Sequence, residues 1–161
     1  MVVDDEESIR QSLSDVLKDE GFDVILAGDG QEALKMLNSN MPDLVILDIW
    51  MPVMDGTEVL KEIKKSQPEL EVIMISGHGN IEAAVKAIKL GAYDYIEKPL
   101  SLEGVLLTVR RALTEGGKVI SNFQFPISNL KSQIPNHKFE AKKGRAGRMQ
   151  RTIKKGIVMG G

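Results

Sequence analysis

The run Leu44-Val45-Ile46-Leu47-Asp48 consists of four large apolar residues followed directly by a carboxylate, and it is the strongest indication of the fold. A continuous apolar run of this length is typical of a strand buried on both faces, as in a parallel sheet covered by helices. Asp48 would then lie at the carboxyl end of its strand. In an open α/β sheet, ligands bind at that edge. Asp48 is therefore the first candidate functional residue.

Other short apolar runs of the chain also lead into polar residues. Val2-Val3 precedes Asp4 and Asp5, Val72-Ile73-Met74-Ile75 precedes Ser76, and Tyr93-Asp94-Tyr95-Ile96 precedes Lys98. Parallel strands place their carboxyl ends on one edge of the sheet. We therefore expect Asp4, Asp5, Asp48, Ser76 and Lys98 to converge.

The expected cluster holds three aspartates against one lysine, which leaves excess negative charge at short range. A divalent cation resolves this repulsion, and Mg²⁺ prefers hard oxygen ligands such as Asp4, Asp5 and Asp48. Lys98 can then pair with a phosphoryl group, to which Ser76 would also donate its hydroxyl. Any one of these Asp or Ser residues could instead have a purely structural role, as a helix cap or in a turn.

Between these runs, apolar residues recur at helical spacing in five segments. The segments begin near Ile9, Ala33, Thr57, Asn80 and Leu102, and a further strand is predicted from Phe22 to Ala27. Five alternating strands and helices favour an α/β fold, in which a parallel sheet is covered on both faces.

At the polar strand ends the chain resembles the receiver domain of two-component response regulators. The motifs that carry the likeness are Val2-Val3-Asp4-Asp5-Glu6, Leu47 to Gly56, Ile75-Ser76-Gly77-His78-Gly79 and Glu97-Lys98-Pro99-Leu100. They are most similar to receivers of the nitrogen-regulatory, sigma-54 activator group, and the likeness covers residues 1–114. It implies a flavodoxin-like (βα)5 sheet with strand order 2-1-3-4-5.

The resemblance also implies the chemistry. Asp48 would accept a phosphoryl group from a sensor histidine kinase or a phosphotransfer protein. The carboxylates of Asp4, Asp5 and Asp48 and the backbone carbonyl of Trp50 would bind Mg²⁺. The only catalysis would be the domain's own phosphorylation and its autodephosphorylation, so the chain would not otherwise be an enzyme.

Further residues take roles from the same resemblance. Ser76 and Lys98 would hold the phosphoryl group, Ser76 and Tyr95 would form the switch, and the peptide before Pro99 would be cis. Phosphorylation would change the face made by the fourth helix, the fifth strand and the fifth helix. The resemblance implies a homodimer through that face.

Two side chains border the path of a hydrolytic water. Trp50 lies two positions after Asp48, and His78 lies two positions after Ser76. An indole has no acceptor with which to orient water, so we expect Trp50 to shield the phosphoryl group and to prolong its lifetime. His78 would hold a water molecule, cover the site or be an ordinary solvent-exposed loop histidine.

Two other function classes are alternatives to the phosphoacceptor. One is a protein-interaction module that is not phosphorylated, and the presence of all five site residues argues against it. The other is a magnesium phosphohydrolase of the haloacid-dehalogenase type, with Asp48 as nucleophile. Such enzymes use Asp-x-Asp, whereas Ile49 and Trp50 follow Asp48 here.

The composition of the chain limits its size class, its cysteine chemistry and its cellular location. The chain has 161 residues, 42% of them hydrophobic, and no cysteine, which predicts one core without a disulfide or thiol nucleophile. No 18-residue apolar run or secretion signal is present, so we expect a cytoplasmic protein without membrane contact. Only Met1-Val2-Val3 precedes the acidic pair, which is short for a central strand and suggests a trimmed chain or a misassigned start.

The last part of the chain differs sharply in charge. Residues 1–116 hold 22 Asp and Glu against 11 Lys and Arg, whereas residues 117–161 hold 1 against 10. We expect residues 115–161 to form a basic linker that leads to an output domain, and no nucleic-acid module accompanies it. Met149 to Lys155 faintly resembles the opening of UDP-acyl-N-acetylglucosamine deacetylases, which leaves a receiver-deacetylase fusion as an alternative.

Overall fold

The computed structural model describes residues 1–115, in which five strands alternate with five helices. The elements are β1 Val2–Val3, α1 Glu7–Asp19, β2 Leu26–Ala27, α2 Gly30–Asn40, β3 Leu44–Asp48, α3 Gly56–Ser66, β4 Glu71–Ser76, α4 Ile81–Lys89, β5 Asp94–Glu97 and α5 Leu102–Glu115. The strands form one parallel sheet in the order β2-β1-β3-β4-β5. This confirms the predicted flavodoxin-like topology.

The expectations for the basic tail, including Met149 to Lys155, lie outside the described residues. Within residues 1–115, no helix combines the length and the apolar character that crossing a bilayer requires.

Strand β3 is buried along its whole length, as its apolar run predicts. Val45 and Leu47 pack into the core on one face of the sheet, whereas Leu44 and Ile46 pack into the core on the other face. Successive side chains of a strand point to opposite faces, so a strand with helices on both sides needs apolar residues at every position. The two cores hold the carboxyl end of β3 in place.

The two strands at the start of the chain are short. Val2 and Val3 of β1 pair with β2 on one side and with β3 on the other. The strand predicted from Phe22 to Ala27 is correct only for its last two residues, Leu26 and Ala27. Because β2 is an edge strand, β1 is its only neighbour in the sheet, and β1 offers only two residues for pairing.

Helix α3 begins directly against the end of β3. The backbone N–H of Gly56 donates to the Ile49 carbonyl over 2.8 Å. A Cβ atom at position 56 would overlap the Asp48 carbonyl oxygen, so this close approach requires glycine. The Asp55 side chain and Glu58 form a capping box at the same helix start. The loop after Asp48 is therefore held in place both where it leaves β3 and where it enters α3.

Candidate functional site

The sheet edge brings the three predicted aspartates together. Asp4 follows β1, Asp5 is next to it, and Asp48 ends β3. One carboxylate oxygen from each lies within 4.8 Å of the others. Asp4 and Asp48 are buried, whereas Asp5 is exposed and lies at the mouth of the cluster. The convergence predicted from the strand ends is present in the structure.

Asp4 is held by contacts with the start of α1. Its Oδ1 accepts from the backbone N–H of Glu6 over 2.9 Å, and its backbone carbonyl accepts from Arg10 Nη1 over 2.6 Å. The residue before α1 makes no side-chain cap hydrogen bond, so neither aspartate is a regular helix cap. The second oxygen of Asp4, Oδ2, is buried and faces Lys98 Nζ at 3.1 Å.

Lys98 reaches the cluster from the end of β5. Its Nζ lies 2.9 Å from Glu6 Oε1, 3.1 Å from Asp4 Oδ2 and 3.5 Å from Asp48 Oδ2. Its backbone N–H donates to the Ser76 carbonyl over 2.8 Å, and its peptide bond to Pro99 is cis. One ammonium group therefore contacts three carboxylates.

Glu6 is the site residue that sequence reasoning missed. Glu6 belongs to the first motif, but the sequence pattern assigns it no role, although it hydrogen-bonds Lys98 in the structure. Its position directly after Asp4 and Asp5 is the sequence feature that could have identified Glu6 as a site residue. Because its side chain is about half exposed, Glu6 can release Lys98 at little cost in desolvation.

Within the described residues, the negative charge of the aspartate cluster exceeds the positive charge that Lys98 supplies. Burial and the nearby Asp4 carboxylate raise the pKa of Asp48 to about 6, although Lys98 opposes this shift. Burial likewise raises the pKa of Asp4. Burial lowers the pKa of Lys98, but its hydrogen bonds with Glu6 and Asp4 raise that pKa more. The aspartates thus offer hard oxygen ligands and excess negative charge, which fit Mg²⁺.

Ser76 lies at the end of β4 and is fully buried. Its Oγ accepts a hydrogen bond from the indole Nε1 of Trp50 over 3.0 Å. Trp50 also contacts Asp48, because its backbone N–H donates to Asp48 Oδ1 over 3.3 Å. The Trp50 and His78 rings meet edge to face, with 5.9 Å between their centroids. These contacts join the loop after β3 to the loop after β4.

Tyr95 lies in β5, half-buried against one of the two cores. Its hydroxyl is already inside the protein and makes no hydrogen bond to any of residues 1–115. Ser76 and Tyr95 are on neighbouring strands, since β4 pairs with β5. The structure therefore puts the two predicted switch residues on adjacent elements.

Residues 1–110 match the family model of the response regulator receiver domain. The chain belongs to the response regulator receiver family. Receivers are the phosphoacceptor domains of two-component systems and generally have no separate enzymatic activity.

Similar receivers come from nitrogen regulators. The nitrogen assimilation regulatory protein NtrX of Azorhizobium caulinodans is 46% identical over 115 residues, which cover 70% of this chain and 25% of that protein. The crystal structure of the receiver domain of NtrX from Brucella abortus is 51% identical, with a TM-score of 0.68, and the match covers 70% of this chain and 96% of that one. The solution structure of the beryllofluoride-activated NtrC4 receiver domain dimer is 46% identical, with a TM-score of 0.69. That match covers 71% of this chain and 95% of the NtrC4 chain.

These similarities confirm the predicted receiver of the nitrogen-regulatory type. They do not favour the interaction module or the receiver-deacetylase fusion. The chain spans about a quarter of the length of the curated relatives it matches.

The electrostatics of the receiver predict a pH-dependent stability. Folding raises the pKa of Asp48 from its ordinary value of 3.8 to about 6, so the folded protein favours the protonated carboxyl. The resulting stability is fully present below pH 3.8 and is lost as the pH rises through 6. We expect Asp48→Asn to match the parent near pH 4 and to exceed its free energy of unfolding by about 3 kcal/mol at pH 7.5 without metal.

Chemical denaturation in EDTA at several pH values measures this difference. Asp15→Asn, on the exposed face of α1, is the matched control for replacing an aspartate outside the cluster. A gap between Asp48→Asn and parent that did not widen with pH would contradict the raised pKa of Asp48.

Proposed function

We propose that Asp48 accepts a phosphoryl group from the phosphohistidine of a sensor histidine kinase or phosphotransfer protein. The observation that carries this proposal is the position of Asp48: its buried carboxylate lies 3.5 Å from Lys98 Nζ and within the aspartate cluster. One oxygen of ionised Asp48 attacks the phosphorus atom, the P–N bond to the donor imidazole breaks, and the imidazole keeps the electron pair. Lys98 and the Ser76 hydroxyl stabilise charge on the transferred group.

Acetyl phosphate tests this proposal without a cognate kinase. Incubated with acetyl phosphate and Mg²⁺, the 161-residue chain should gain one phosphoryl group in intact-mass measurement. EDTA should prevent the gain, because the reaction needs a cation at the acidic cluster. A chain that stays unlabelled, or labels equally in EDTA, would overturn the proposal.

We propose that Asp4, Asp5, Asp48 and the backbone carbonyl of Trp50 hold the Mg²⁺ ion. The support is the donor set: three carboxylates within 4.8 Å, two of them buried, with one lysine to balance them. A bound Mg²⁺ would supply charge neutralisation to the phosphoryl oxygens. Lys98 is then released from part of its pairing with the carboxylates and can turn toward the phosphoryl group.

Removing Asp5 should weaken Mg²⁺ binding while preserving the fold. Asp5 is exposed at the mouth of the cluster, so Asp5→Ala deletes a ligand without leaving a buried cavity. Titration of Trp50 fluorescence measures the affinity, and we expect at least a tenfold loss, because replacing even a residue that only orients a metal ligand often costs that much. Asp19→Ala, on the exposed face of α1, is the control. Equal Mg²⁺ affinity in the two variants would exclude Asp5 as a ligand.

We propose that phosphorylation acts on the face formed by α4, β5 and α5 through Ser76 and Tyr95. Ser76 would move toward the phosphoryl group, and the surroundings of Tyr95 on the adjacent strand would change with it. Since the Tyr95 hydroxyl is already buried, this change does not require the ring to turn inward. On this face, α4 exposes an apolar stripe of Ile81, Val85 and Ile88.

A second copy of the chain is the partner proposed for this stripe. The NtrC4 receiver, which is 46% identical, is a dimer in its beryllofluoride-activated form. Analytical ultracentrifugation with Mg²⁺ and beryllofluoride should show dimers of the parent and monomers of Ile81→Glu. Val53→Glu is the control, because Val53 is also exposed and apolar but lies in the loop before α3. Dimers of Ile81→Glu as stable as those of the parent would place the interface elsewhere.

A further inference from the structure

The Ser76 hydroxyl is fully engaged in the structure. It donates to the His78 carbonyl over 3.3 Å, and it accepts from the backbone N–H of His78 over 3.3 Å and from Trp50 Nε1 over 3.0 Å. A serine hydroxyl has one proton to donate and two lone pairs with which to accept. All three are therefore used before any phosphoryl group arrives.

These hydrogen bonds differ in whether they can survive phosphorylation. A phosphoryl oxygen on Asp48 needs the proton of the Ser76 hydroxyl, which the His78 carbonyl holds in this structure. That bond has to break. The Trp50 indole instead donates to a lone pair of the same oxygen, so it does not compete with the phosphoryl group. A hydrogen bond received by a hydroxyl also makes it a stronger donor.

The surroundings of the indole allow it to follow Ser76. The His78 ring supports Trp50 edge to face, at an interplanar angle of 73°. Trp50 nevertheless remains 53% exposed, so part of its ring borders solvent and has room to move. Its backbone N–H donates to Asp48 Oδ1, which keeps the residue at the phosphorylation site.

We propose that Trp50 is a positioning residue that acts through Ser76. Its indole N–H stays on the Ser76 hydroxyl when that hydroxyl turns to the phosphoryl group, strengthens the donated hydrogen bond, and carries the ring over the aspartyl phosphate. This proposal rests on Asp48 being the phosphoacceptor, and it goes beyond passive shielding because it assigns a specific hydrogen bond to the indole. Trp50, in the loop after β3, and Ser76, at the end of β4, thereby act as one unit.

The single tryptophan of the chain offers a direct test. Its indole N–H gives one ¹H–¹⁵N NMR signal, which reports hydrogen bonding at Nε1 without ambiguity. In the free chain we expect this proton to be protected from exchange, and Ser76→Ala to remove the protection. With Mg²⁺ and beryllofluoride, which stands in for the phosphoryl group on Asp48, the protection should persist in the parent. Loss of protection on adding beryllofluoride, or none in the free chain, would overturn the proposal.

A double-mutant cycle measures the coupling between the two side chains. Trp50→Phe keeps an aromatic ring but lacks the N–H donor. We expect it to weaken beryllofluoride binding about two- to tenfold, as the loss of one hydrogen bond implies, and to have no effect in a Ser76→Ala background. Fluorine NMR titration measures the affinities without relying on tryptophan emission. Equal effects of Trp50→Phe in both backgrounds would assign Trp50 a merely steric role.

The experiments distinguish an error about Asp48 as the phosphoacceptor from an error about Trp50 as a positioning residue. If Asp48 is not the phosphoacceptor, acetyl phosphate labels another residue or none, whatever the indole signal shows. If Asp48 is labelled but the cycle shows no coupling between Trp50 and Ser76, only the positioning role of Trp50 is wrong.

Discussion

Asp48→Asn should abolish phosphorylation of this receiver by acetyl phosphate. The reaction needs an ionised carboxylate oxygen as nucleophile, and an amide oxygen is too weakly nucleophilic to replace it. Asparagine has nearly the same shape and can still accept the hydrogen bond from the Trp50 backbone N–H. The loss of labelling would therefore reflect lost chemistry and not a lost fold.

Intact-mass measurement after incubation with acetyl phosphate and Mg²⁺ provides the readout. Asp4 and Asp5 lie in the same cluster, so this substitution also tests which aspartate is the acceptor. Asp4 is held by Glu6 and Arg10, whereas Asp48 lies between Lys98 and the loop that carries Trp50. Asp15→Asn is again the matched control and should label like the parent. Undiminished labelling of Asp48→Asn would move the acceptor to another residue.

Lys98→Met should strongly destabilise the metal-free receiver. The Lys98 ammonium is mostly buried and contacts Asp4, Glu6 and Asp48. Methionine keeps the length of the side chain but leaves the two buried carboxylates without their cation. Breaking a buried ion pair by removing one partner costs about 3–5 kcal/mol. We expect a loss of that size in the free energy of unfolding at pH 8 in EDTA.

Two changes in solution conditions, added Mg²⁺ and a lower pH, should each restore part of the stability lost in Lys98→Met. Mg²⁺ supplies the missing positive charge if the acidic cluster binds it. Lowering the pH below 6 neutralises Asp48, whose pKa of about 6 should rise further once Lys98 is gone. Lys65→Met is the matched control: Lys65 pairs with Glu62 on the exposed side of α3, where an ion pair is worth at most about 1 kcal/mol. A loss in Lys98→Met no larger than in Lys65→Met would show that the site does not depend on this ammonium group.

Much of the fold was predictable because the signals are local. The apolar run before Asp48 needs only its own residues to indicate a strand buried on both faces, and the structure buries all of β3. The convergence of Asp48 with Asp4 and Lys98 follows from the parallel sheet, since the carboxyl ends of parallel strands share an edge. Strand order and family came from the resemblance and were confirmed by the sheet and by the comparisons.

Local patterns were less informative for the edge of the sheet. The predicted strand from Phe22 to Ala27 contains the β-forming residues Phe22, Val24 and Ile25, yet only Leu26 and Ala27 pair with a neighbour. How much of an edge strand forms depends on how many residues its one neighbour can pair with. That neighbour, β1, is distant in sequence and contributes two residues.

The layered α/β fold and the residues that end its strands can therefore be inferred from the chain alone, because hydrophobic periodicity and strand ends depend on neighbouring residues. Which of those side chains contact one another is seen only in the folded protein. Glu6 contacts Lys98 across 92 positions, and the Trp50 indole donates to Ser76 across 26. Such pairings depend on the rotamers and the paths of loops packed on the finished sheet, and no pattern of neighbouring residues encodes them.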